Sequence, residues 1–189
     1  MHAFIRARLD DVDAAHRQVE SMLHATSVEQ RSWRPEPDAW SILQVLAHLN
    51  ATADAYHPRA QRLIDRLRAR DETRSDGYRP SLLGRLTVYL LGTSSTIKLK
   101  AFGPFTPKTY AGDEIDERCI EHYRTQQLQL RILLEQADGL SLNRLSMAEP
   151  VSPLLRLSLG EAFEALTAHQ KRHLAQIERI RHHPRFPLS

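Results

Sequence analysis

At 189 residues this chain is long enough to bury a core without disulfide or metal staples, and its single cysteine excludes an internal disulfide and a cysteine-based zinc site. A formal net charge of +3, with basic residues interleaved with acids over residues 61–72, reads as a solvated helix face and argues against a nucleic-acid stripe. No apolar run approaches the roughly 20 residues of a membrane span, and the first ten residues lack a signal-peptide core, so a cytoplasmic protein is expected.

Seven glycines against abundant Leu, Ala, Arg, Glu and Gln favour helices. A first helix is predicted from about Ala3 to His24, with Phe4, Ile5, Leu9, Val12, Val19, Met22 and Leu23 mostly on one face. Thr26 and Ser27 mark a turn, and residues 31–37 an extended, proline-bounded connection. Asp38 or Ser41 caps the second helix, and Ser41 with Gln44 fits a capping box. Ile42, Val45, Leu46, Leu49, Ala53, Tyr56, Ala60, Leu63, Ile64 and Leu67 form its stripe, which Pro58 interrupts and is expected to kink.

A polar break over residues 71–77 precedes a shorter helical segment, Ser81 to Leu91. Residues 92–112 read as a long ordered loop of the kind that often carries function. Its Lys98, Lys100 and Lys108, with Phe102 and Phe105, form either a lid for an anionic substrate or a solvated loop pinned by two aromatics. The third long helix is expected to start after Gly112, with Asp113 near its cap, and to end by Gly139. It turns Ile115, Cys119, Tyr123, Leu130, Leu133 and Leu134 inward, which makes Cys119 a buried core thiol rather than a nucleophile. After an irregular stretch over residues 140–157, Ser158 and Glu161 form another capping box. The fourth helix runs from there to about Arg181. The sum is an all-α chain, a single domain over residues 1–189, folded as a four-helix bundle with long crossover connections.

His169 and His173 stand one turn apart on the fourth helix, so their imidazoles share a face and can take neighbouring corners of a metal polyhedron. With Leu159, Phe163, Leu166, Leu174 and Ile177 as the buried stripe, His173 falls within it and His169 on its edge. His48, on the flank of the second helix's stripe, completes a three-histidine set with an open position. Gln170 stands where a zinc protease has its glutamate, so that mechanism is disfavoured. Outer partners for the imidazoles are Gln44 and Thr52, one turn either side of His48, and Gln176 beyond His173. Tyr56 is a proton donor, a substrate-orienting group or core packing. Arg172 is a contact for a substrate carboxylate or simply a cation in a helix C-terminal half. His122 is a fourth ligand, an acid–base group or a satisfied core histidine, and His16 is equally ambiguous. His2, His24, His57, His182 and His183 read as surface.

Trp40-Ser41, His48-Leu49, the run from Leu157 to Glu161 and the run from His169 through His173 to Ile177 together resemble the DinB-like superfamily of metalloenzymes. The resemblance covers nearly the whole chain and implies a four-helix bundle, often dimeric and often bacterial. It places the metal ligands at His48, His169 and His173 and implies a divalent ion, zinc or nickel. Its relatives include bacillithiol-dependent S-transferases and mycothiol-dependent maleylpyruvate isomerases. A metal-dependent transferase acting with a low-molecular-weight thiol on a small-molecule substrate is therefore expected. The alternatives are a metal-dependent hydrolase and a noncatalytic, metal-binding or dimerising stress-associated bundle.

Overall fold

A serine side chain caps four of the six helices formed by the described residues, accepting a hydrogen bond from a backbone N–H that the first turn leaves without a partner. The computed structural model describes residues 1–72, 77–93, 103–107, 115–150 and 154–188. Its helices are α1 (Ala3–His24), α2 (Val28–Ser32), α3 (Ile42–Ala69), α4 (Leu82–Leu91), α5 (Arg118–Ala137) and α6 (Leu159–Arg181). Ser27, Ser41 and Ser158 form complete capping boxes with Gln30, Gln44 and Glu161. The described residues are all-α but for one short hairpin, β1 (Ser146–Ala148) paired antiparallel with β2 (Arg156–Ser158).

Several boundaries differ from expectation. The hairpin and the single-turn α2 lie where only irregular chain was predicted, because three-residue strands and one-turn helices are too short to show a period. α5 begins at Arg118, with Ile115 before it, while Gly112 and Asp113 lie outside the described residues. Pro58 does not end α3, which is helical on both sides of it.

α1, α3, α5 and α6 form the bundle, each of α1 and α3 packing on both α5 and α6. Side-chain pairs give the directions. Glu20 meets Arg124 and Asp13 meets Arg131, so α1 and α5 are antiparallel. Asp11 meets Lys171 and Gln18 meets Glu178, so α1 and α6 are parallel. Asn50 bonds the Cys119 carbonyl while Gln61 bonds Gln136, so α3 and α5 are also parallel. Trp40 lies against His173 and His48 against His169, which makes α3 and α6 antiparallel. The topology is up-down-down-up. Parallel neighbours α3 and α5 require a connection back along a 28-residue helix, about 42 Å at 1.5 Å per residue. α4, packed on α6, is part of that return.

The core divides into two apolar layers. One gathers Ile5, Leu63, Leu67, Leu133 and Phe163. The other gathers Val19, Ile42, Leu46, Tyr123 and Ile177. Between them lies a belt of buried polar side chains: Asn50, Thr52 and His57 on α3, Gln127 on α5, and Thr167, His169 and Gln170 on α6. Polar groups survive burial only when bonded, and this belt is bonded across helices: Gln170 Nε2 donates to Tyr123 Oη at 2.8 Å and to Gln127 Oε1 at 2.6 Å.

Candidate metal centre

At the α3–α6 edge of the polar belt three imidazoles converge. His169 Nε2 lies 3.2 Å from His48 Nε2 and 3.1 Å from His173 Nε2. A tetrahedral ion with metal–nitrogen bonds of about 2.0–2.1 Å sets its ligand nitrogens about 3.3 Å apart, so the spacing suits one divalent ion. Among the described residues, these three form the one group of His, Cys, Asp or Glu side chains whose ligand atoms gather in this way.

The α-helical repeat accounts for the pair on α6, and the antiparallel α3 brings His48 to the same level. His48 and His169 are buried, at 4% and 9% exposed, while His173 is half-buried. This corrects the expected order on α6: His169 is the inward member of the pair and His173 the edge.

The electrostatics keep the triad uncharged. Burial lowers the pKa of His48, against the pull of the Phe105 carbonyl. Burial holds His169 well below the usual imidazole value, helped by the charges that His173, His48 and Arg172 would place beside it. His173 is pushed down to about 3, first by burial. Neutral imidazoles are the form that binds a metal.

Two rings are oriented from behind. His48 Nδ1 donates to the Phe105 carbonyl at 2.5 Å, leaving its Nε2 lone pair inward. His173 Nδ1 donates to Gln176 Oε1 at 2.9 Å with the same result. Trp40, one residue before the α3 cap, lies against both rings, 4.9 Å from His48 and 6.2 Å from His173 between centroids.

The other candidates fall elsewhere. Gln44 Oε1 accepts from Ser41 N at 2.9 Å in the capping box. Thr52 donates to the His48 backbone carbonyl at 3.0 Å rather than to its ring, although it borders the same cavity as His169. Tyr56 donates to the buried Glu149 carboxylate, and its ring stacks on Phe105 at 6.2 Å. Arg172 is turned to the end of α4, where it donates to the Leu90 and Gly92 carbonyls at 3.3 and 3.0 Å. His122 meets Asp54 at 3.0 Å across the α3–α5 interface, apart from the triad. His57, expected at the surface, is 5% exposed in the polar belt. Lys98, Lys100, Phe102 and Lys108 lie outside the described residues.

Sequence reasoning missed the Phe105 carbonyl, because a backbone acceptor has no sequence signature. It also missed Trp40 as a wall of the site, although Trp40 stands in the motif that carried the resemblance.

A sequence model described as the DinB superfamily matches residues 11–177, from α1 into α6 and across all three histidines. No curated protein and no solved structure matches the chain.

Proposed function

The chain belongs to the DinB superfamily, and from that premise we propose that it is a metal-dependent transferase that joins a low-molecular-weight thiol to a small electrophilic substrate. The observation that carries the metal part is the convergence of three neutral imidazoles with 3.1–3.2 Å between neighbouring Nε2 atoms. A divalent ion held by His48, His169 and His173, zinc or nickel as the family resemblance implies, would supply Lewis acidity and lower the pKa of a bound thiol or water. Three protein ligands leave room for that exchangeable partner.

The chain's own residues bear on the choice of thiol chemistry. Cys119 is fully buried, and burial pushes its thiol up to about 12, so it offers no thiolate near neutral pH. A sulfur nucleophile must therefore come from a cosubstrate. Trp40 gives the site an apolar wall beside the half-buried His173, suited to the carbon skeleton of a small molecule. Action as a homodimer in the cytoplasm belongs to the same proposal. No helix among the described residues is long and apolar enough to cross a membrane.

Elemental analysis of untagged protein, wild type beside His169→Ala, tests the centre first. The expected result is about one ion per wild-type chain and almost none in the variant, with helicity retained in both. No uptake by wild type after reconstitution with zinc or nickel removes the enzyme reading. If metal is present, thiol conjugation that stops with a chelator supports the transferase, whereas chelator-sensitive ester cleavage without thiol dependence identifies a hydrolase.

A further inference from the structure

The three imidazoles of the candidate centre are not supported alike. His48 and His173 each have an oxygen directly behind Nδ1. His169 uses Nε2 toward the other two rings, and among the described residues no hydrogen bond is formed by its Nδ1. Behind His169 lies instead a cavity of about 20 Å³, which it lines together with Thr52, His57, Gln127 and Gln170. That volume holds about one water molecule, and nothing larger.

His57 is the second unmatched group on this cavity. It is 5% exposed, and its Nδ1 is buried without a hydrogen-bond partner. Burial pushes its pKa down to about 4, while a hydrogen bond to Gln126 opposes that shift. A neutral ring bonded to Gln126 makes that bond from Nε2, since Nδ1 is the nitrogen without a partner, and Nδ1 then presents a lone pair. Gln126 is itself fixed by donating to Asp54 at 2.7 Å. A metal-bound His169 carries its proton on Nδ1. One ring edge thus requires an acceptor and the other a donor, at the same small cavity.

We propose that a single buried water completes the outer shell of the third ligand, accepting from His169 Nδ1 and donating to His57 Nδ1. Thr52 Oγ1 is available for its second proton, since that hydroxyl spends its own proton on the His48 carbonyl and keeps its lone pairs. His57 is then a positioning residue: it acts on the metal through water and His169, and touches no reacting atom. The inference rests on the metal reading above and adds to it the element that fixes the His169 tautomer.

Zinc affinity, measured by chelator competition, and a crystal structure of the zinc-loaded protein test it together. His57→Leu removes the acceptor and should weaken zinc binding by about 10- to 100-fold. His57→Asn, which keeps a polar atom near the place of Nδ1, should stay near wild type. The crystal structure should show one ordered water within hydrogen-bond distance of both His169 Nδ1 and His57 Nδ1. A dry cavity, a direct protein oxygen on His169 Nδ1, unchanged zinc affinity in His57→Leu, or equal weakening in both variants overturns the inference while leaving the metal reading intact. Wild-type protein that takes up no zinc overturns both. If His57→Leu does not fold, the crystal structure of the wild type decides alone.

Discussion

Glu149 sits 7% exposed at the end of β1, with the Tyr56 hydroxyl directed at both of its oxygens. Burial raises its pKa, and the Tyr56 hydrogen bond opposes that rise only in part. A carboxyl with a raised folded-state pKa contributes stability below its unfolded value and loses it as pH rises through the folded one. Glu149→Gln, which keeps an acceptor for Tyr56 and carries no charge, should therefore melt at or above wild type at pH 7. That advantage should vanish below the ordinary carboxylate range. Tyr56→Phe leaves the buried carboxylate without its donor and should destabilise by about 1–3 kcal/mol. Thermal melts of both variants at pH 7 and pH 4 check the pair. A higher melting temperature for Tyr56→Phe would contradict it. The same residues show what a sequence hides: Tyr56 follows the helical stripe plainly, but its partner lies 93 positions away, just past a strand too short to read.

One carboxylate joins two helix starts. Glu161 Oε2 accepts from Ser158 N at 2.8 Å and so closes the α6 capping box, while Oε1 accepts from Ser81 N at 2.7 Å at the start of α4. Burial works against its charge, yet the Ser81 and Ser158 groups hold its pKa below the ordinary carboxylate value. Gly84 makes this junction fit, since a Cβ there would lie 2.2 Å from Glu161 Oε1. Glu161→Ala should cost about 2 kcal/mol, about 4–8 °C in melting temperature for a chain of this size, and α4 amides should exchange faster with solvent while those of α5 stay protected. Uniform exchange across α4 and α5 would show that the junction does not hold α4 separately. The capping box was legible at Ser158 and Glu161 because it is local. Its second role was not, because Ser81 reaches Glu161 only after the return connection has brought α4 onto α6.

Across the whole molecule the buried histidines set the response to acid. His57 is pushed down to about 4 and His173 to about 3, against an ordinary imidazole value of 6.5. A depressed histidine binds its proton more readily in the unfolded chain, so the stability it contributes is present above 6.5 and lost as pH falls through the folded value. For His57 alone the loss between pH 6.5 and about 4 is on the order of 3 kcal/mol at about 1.4 kcal/mol per pH unit. Metal-free protein should show a urea midpoint that falls steadily over that window, and His57→Asn should flatten the fall. A midpoint independent of pH there would mean that the belt readily accepts charge. Zinc at 100 times its dissociation constant should add about 2.7 kcal/mol and raise the melting temperature, and His169→Ala should abolish the rise.

What the sequence determined by itself was everything repeated along a helix or held within one turn of it. The apolar stripes of α1, α3, α5 and α6, the Ser41 and Ser158 boxes and the shared face of His169 and His173 depend only on the 3.6-residue period. The tertiary structure decided the rest. Which member of the histidine pair turns inward, the polar belt that buries His57, the Phe105 carbonyl behind His48 and the engagement of Arg172 with α4 all follow from how the helices sit against one another. A stripe says that a helix has an inner face. It does not say which helix that face meets, or in which direction the partner runs. In this chain the up-down-down-up order, with α3 and α5 parallel, supplies both answers.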